Sequence, residues 1–138
     1  QDGKAFDQRA QCIVDEYSSF VVAGDVHLNG KLTLGENTAD NGGLRIAYMA
    51  LLATLASEGK QPGQIDGFTP DQRVFLGWGQ IWCQSQTDQV ARLRAQLDPH
   101  SPGKYRVNGV VRNMPEFQKA WGCKADQPMV AQNACRVW

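Results

Sequence analysis

The sequence predicts a mainly helical domain with one short hairpin or extended segment near residues 21–33. The reading rests on apolar residues that recur at helical spacing through several stretches and on the Pro- and Gly-rich turns between them. A single stretch, VVAGDVHLNGKLTL, breaks the helical period with β-branched residues, a Gly-Asp step and an Asn29-Gly30 pair. A chain of 138 residues is long enough to bury a core as one domain.

Phe6, Ala10, Ile13, Val14 and Tyr17 mark one face of an amphipathic helix expected over 5–20, which carries Cys12. After the extended segment, Thr33 is the expected N-cap of a long helix running to about Ser57, and Thr33-x-x-Glu36 fits a capping box. Gly42 and Gly43 weaken the middle of that helix, so they point to close approach by another element or a ligand. The loop EGKQPGQIDGF leads to Thr69-Pro70-Asp71, the start of a helix through Val74, Phe75, Trp78, Ile81 and Trp82. A shorter helix is expected from about Asp88 to Leu97. DPHSPGKYRVNG reads as a loop punctuated by Pro99, Pro102, Gly103 and Gly109, and MPEFQKAW as a last short helix with Pro115 in its first turn.

Lysine plus arginine number 14 and aspartate plus glutamate 14, so no overall field attracts nucleic acid or an anionic membrane. The longest apolar run, Ile46 to Ala56, falls short of the roughly 20 residues a spanning helix needs, and no membrane contact is expected from this chain. Cys12, Cys83, Cys123 and Cys135 lack the paired spacing of a structural zinc site. By count alone they suit disulfides in an oxidising compartment or buried thiols. The chain starts at Gln1 without a basic-then-apolar leader, and it is read as part of a longer protein.

The stretch LGENTADNGG places Glu36 and Asp40 one helical turn apart, like charges on one face where they repel. The ordinary explanation is that the first turns of a helix favour negative charge and that Glu36 closes the capping box. The chemical one is a metal ligand, Glu36, with a carboxylate beside it that orients a ligand histidine through its free ring N–H.

The longer segment NGKLTLGENTADNGGL resembles the neprilysin family of zinc metallopeptidases, whose E-N-x-A-D motif stands here as Glu36-Asn37-Thr38-Ala39-Asp40. GWGQIWC at Gly77 to Cys83, DPHSPGKYRVNG at Asp98 to Gly109, NMPEFQKAWGC at Asn113 to Cys123 and the terminal CRVW follow in the family's order. The resemblance covers nearly the whole chain and implies the carboxyl-terminal part of a zincin-type, thermolysin-like catalytic domain.

It implies that Glu36 is the third protein ligand of one catalytic zinc, that Asp40 braces a histidine ligand, and that His100 donates to the oxyanion of the tetrahedral intermediate. By the same resemblance Arg106 grips a substrate carbonyl, and Ile81 and Trp82 help line the pocket for a large apolar side chain on the carboxyl side of the cleaved bond. From the residues alone, His100 is an idle loop histidine, Arg106 a surface arginine beside Tyr105, and Ile81 and Trp82 plain core. The resemblance also implies a Cys12–Cys135 disulfide and outside partners for Cys83 and Cys123 near the family's amino-terminal segment, and an extracytoplasmic location is expected.

A zinc of this class needs H-E-x-x-H, but the chain contains only His27 and His100. Two histidine ligands are therefore expected from the missing amino-terminal part, and His27 is expected only to hold a loop. The complete protein is expected to hydrolyse oligopeptides, and this chain alone to be inactive. The alternative is a folded subunit without chemistry that docks on a partner chain through its apolar helices.

Overall fold

The computed structural model describes residues 2–59 and 62–138, so Gln1 and, within the expected 58–68 loop, Lys60 and Gln61 lie outside the described residues. In chain order the elements are α1 (Asp2–Ser18), β1 (Val21–Ala23), β2 (Val26–His27), α2 (Leu34–Ser57), α3 (Pro70–Ile81), α4 (Asp88–Leu97), α5 (Gly103–Val111) and α6 (Pro115–Trp121). The class is mainly helical, as the sequence predicts. No described helix is long and apolar enough to cross a membrane.

Helix α2 runs through the middle and packs on α1, α3 and α5. One core gathers Ile13, Tyr17, Leu28, Tyr105, Cys135 and Val137; the other gathers Leu44, Tyr48, Phe75, Val110, Val111 and Met114. Helix α5 joins them, giving Tyr105 to the first and Val110 and Val111 to the second. This clamps α5 against α2, which is what brings the site residues together.

Local chemistry sets most ends. Thr69 caps α3: its hydroxyl accepts from Gln72 N at 3.3 Å while Gln72 Oε1 accepts from Thr69 N at 3.0 Å, a full capping box ahead of Pro70. Thr87 caps α4, accepting from Val90 N at 3.4 Å. Gly122, at φ 64°, closes α6 in the left-handed conformation glycine tolerates best. In the hairpin, Val21 pairs with His27 and Ala23 with Val26 around the Gly24-Asp25 step, so the chain reverses there and not at Asn29-Gly30.

Several expectations are corrected. The Thr33–Glu36 capping box does not form: Thr33 has φ −93° and ψ 5° and makes no side-chain cap bond. Its hydroxyl donates to the Asn29 carbonyl at 3.1 Å and accepts from Asn37 Nδ2 at 2.9 Å, and these partners outcompete the helix end. The expected loop over 98–109 becomes helix from Gly103 onward. The glycines read as loop punctuation instead permit close packing: a Cβ on Gly103 would lie 2.5 Å from the Trp82 carbonyl oxygen. Of the two α2 glycines, only Gly42 is approached, since a Cβ there would lie 2.6 Å from Trp138 Cδ1, while Gly43 faces open space.

The tail is tied to α1. Cys12 and Cys135 form a disulfide, and Arg9 Nη1 donates to the Val137 carbonyl at 3.1 Å. Nearby, Glu16 Oε2 accepts from Asn113 Nδ2 at 2.6 Å, and Asn113 Oδ1 accepts from Cys135 N at 2.7 Å. Burial pushes the Glu16 carboxyl above its ordinary value, partly opposed by the Asn113 bond and by Arg112. The folded state therefore holds this proton more tightly than the unfolded one. Its stabilising contribution is present below pH about 4.3 and is lost as pH rises through the folded value. Glu16→Gln, which keeps an acceptor for Asn113, is expected to flatten that decline; thermal unfolding against pH checks it, and identical slopes in parent and variant would refute the assignment.

Candidate active site

Glu36, Asn37 and Asp40 stand on the first two turns of α2, and Arg106 on the first turn of α5. The guanidinium of Arg106 forks onto Asp40, with Nε to Oδ2 at 2.6 Å and Nη2 to Oδ1 at 2.7 Å. Both side chains are nearly buried, at 11% and 7% exposure. Nη2 also lies 3.3 Å from Glu36 Oε2, and the Trp82 ring lies under the guanidinium at 3.8 Å. Asp40 in turn holds Arg106 even more firmly protonated than usual. One arginine thus offsets the repulsion that makes the α2 carboxylate pair look costly in sequence. Arg106 is not the surface arginine its neighbour Tyr105 suggests.

His100 sits in the segment between α4 and α5. Its ring Nδ1 is 2.8 Å from Asp98 Oδ1, and its backbone N–H donates to the same oxygen at 2.9 Å. These two bonds hold the Asp98 carboxyl below its ordinary range. A carboxylate accepts only, so Nδ1 carries hydrogen and Nε2 is the atom that faces Glu36 Oε2, at 3.6 Å. With Nδ1 so engaged, Nε2 donates a hydrogen bond only when the ring carries a hydrogen on both nitrogens.

A cavity of about 200 Å³ opens beside these groups, lined by Trp82, Arg94, Asp98, His100 and Arg106 among others. Ile81 is outside that lining and 66% exposed. His27 is engaged elsewhere, with Nδ1 3.1 Å from the Ser18 carbonyl. Cys83 and Cys123 are free thiols.

Among the described residues no three His, Cys, Asp or Glu side chains form a group that could hold a metal ion. What the chain offers is one carboxylate, Glu36, 41% exposed with a cation and an imidazole beside it. That suits one oxygen position of a zinc ion whose other ligands lie elsewhere. The motif reading singled out Glu36, Asp40, His100 and Arg106, and the fold brings all four together. It did not find Asp98, whose only signal is its place two residues before His100, nor the buried Ser101.

The comparisons with known proteins agree along the chain. The sequence description Peptidase family M13 matches residues 1–137. Neprilysin-1 of Caenorhabditis elegans is 42% identical over 137 residues, covering 96% of this chain and 18% of that protein. Endothelin-converting enzyme 1 of Mus musculus is 40% identical over 136 residues, covering 98% of this chain and 18% of that protein. A crystal structure of a Mycobacterium tuberculosis zinc metalloprotease in complex with inhibitor superposes with a TM-score of 0.86 and 37% identity over 98% of this chain and 21% of that one. The chain thus spans about a fifth of the length of these relatives, and it belongs to peptidase family M13.

Proposed function

We propose that the chain is the carboxyl-terminal part of the catalytic domain of a zinc metalloendopeptidase that hydrolyses oligopeptides. The observation that carries this reading is the convergence of Glu36, Asp40, His100 and Arg106 on one another, from two helices and a loop, with His100 and Arg106 lining the adjacent cavity. Glu36 would hold the zinc together with two histidines from the remainder of the protein, and Asp40 would brace one of them. The chemistry zinc supplies at such a site is Lewis-acid polarisation of the scissile carbonyl.

The chain's own residues do the rest. Protonated His100 donates from Nε2 to the developing oxyanion, steadied by Asp98 at Nδ1. Arg106, locked to Asp40 through Nε and Nη2, retains Nη1 for a substrate carbonyl. Trp82 lends apolar surface to the cavity, and with the exposed Ile81 supports a preference for a large apolar residue after the cleaved bond. The Cys12–Cys135 disulfide supports an extracytoplasmic location, and the free thiols of Cys83 and Cys123 suit cysteines in the missing part.

A second reading, a docking subunit without chemistry, is favoured by exposed Ile46, Met49 and Leu52 on α2. The test uses the complete protein. Glu36→Gln is expected to lose zinc and activity together, whereas His100→Ala keeps its zinc and loses about 10²- to 10³-fold in kcat. Chelator-insensitive cleavage, or equal zinc loss in both variants, would overturn the proposal. A parent protein lacking H-E-x-x-H would favour the docking subunit.

A further inference from the structure

The four groups that meet beside the cavity belong to two bodies. Glu36 and Asp40 ride on α2, whereas His100 rides on the segment joining α4 to α5. Arg106 binds α2 directly, but His100 reaches it only across the 3.6 Å gap to Glu36. Its bonds to Asp98 are local, two residues away, and fix the ring within its own segment. Something else must fix that segment to α2.

The contact that does so is buried. Ser101, 4% exposed and adjacent to His100, donates from Oγ to Asn37 Oδ1 at 2.6 Å. Asn37 is 0% exposed and follows Glu36 on α2. Its Nδ2 donates to Thr33 Oγ1 at 2.9 Å, and Thr33, also 0% exposed, donates onward to the Asn29 carbonyl at 3.1 Å. The direction of each bond is forced: the Thr33 hydrogen is used on a carbonyl, so Thr33 must accept from the amide NH₂, and the amide oxygen is left for Ser101. Asparagine alone suits the position. Aspartate cannot donate to Thr33 and would bury an unmatched charge, leucine offers neither bond, and glutamine overshoots both partners.

We propose that Asn37 and Ser101 form a positioning tether that fixes the His100 segment against α2 and so sets where the His100 donor stands relative to the Glu36 carboxylate. The inference rests on the peptidase reading above for its catalytic consequence, and on the hydrogen-bond chain alone for its geometry. The same turn of α2 thereby carries two functions. Glu36 meets His100 and Arg106 beside the cavity, and its neighbour Asn37 aligns the segment that carries His100.

The test is made in the complete enzyme. Ser101→Ala is expected to lower kcat about tenfold with KM and zinc content unchanged, and Ser101→Thr, which restores the hydroxyl, to recover most of it. In a His100→Ala background the same Ser101→Ala change is expected to do nothing further, because the tether acts through the imidazole. An equal loss in both backgrounds would overturn the proposal. Hydrogen exchange of the peptide spanning 98–105 gives a readout independent of activity. It should quicken in Ser101→Ala and return in Ser101→Thr, and unchanged exchange sinks the tether whatever the kinetics do. If instead His100→Ala leaves kcat intact, the assigned role of His100 falls, while the tether still stands or falls by the exchange result.

Discussion

Replacing Arg106 by methionine is expected to lower the stability of the folded protein by about 3 to 5 kcal/mol, the range seen when one partner of a buried ion pair is removed. The reason lies in Asp40. Its carboxylate is only 7% exposed, and both oxygens are held by the Arg106 fork. Methionine fills the space beside Trp82 but leaves that charge without a cation. Arg106→Lys should fall between, since an ammonium restores the charge and not the paired geometry. The decisive comparison is Arg106→Met combined with Asp40→Asn. Removing both charges should recover part of the loss, and a double variant no more stable than Arg106→Met would show that the penalty comes from lost packing over Trp82. Unfolding midpoints measure this without reference to catalysis, which Arg106 would impair for a separate reason.

Removing the Cys12–Cys135 bridge by the double change to alanine is expected to cost about 4 to 5 kcal/mol in the chain-entropy account. The two cysteines are 123 residues apart in sequence, so the closed loop is long and the unfolded chain gains much freedom when it opens. The native state also suffers. Cys135 and Val137 lie in the core with Ile13 and Tyr17, and the tail's anchoring to Asn113 and Arg9 depends on its staying there. A denaturation midpoint unchanged by the substitution would mean that packing alone retains the tail.

Much of the architecture was legible because its signals are local. Thr69-Pro70 and Pro115 each announce a helix start within a few residues, and α3 and α6 begin where those signals stand. Helix α5 was hidden for the opposite reason. Gly103 and Gly109 look like loop residues until Trp82 and Tyr17 are seen pressed against them, 2.5 Å and 2.7 Å from where a Cβ would sit. Thr33 and Glu36 satisfy the written pattern of a capping box, but Asn37, four residues on, is the better partner for the threonine. The site divides along the same line. The motif around Glu36 could be read directly and the histidine at 100 only through the family resemblance, while the Asp40–Arg106 fork joins residues 66 positions apart and leaves no mark on either local sequence.

The bridge from α1 to the tail has a topological meaning as well. Glu36, Asp40, His100 and Arg106 all lie between Cys12 and Cys135, inside a single covalent ring. One backbone cut anywhere within that ring leaves both pieces on the same molecule. After a cut between Asp40 and His100, the piece bearing the two carboxylates and the piece bearing the imidazole and guanidinium stay tethered through the disulfide, and a nicked chain can reassemble its site without having to find a second molecule.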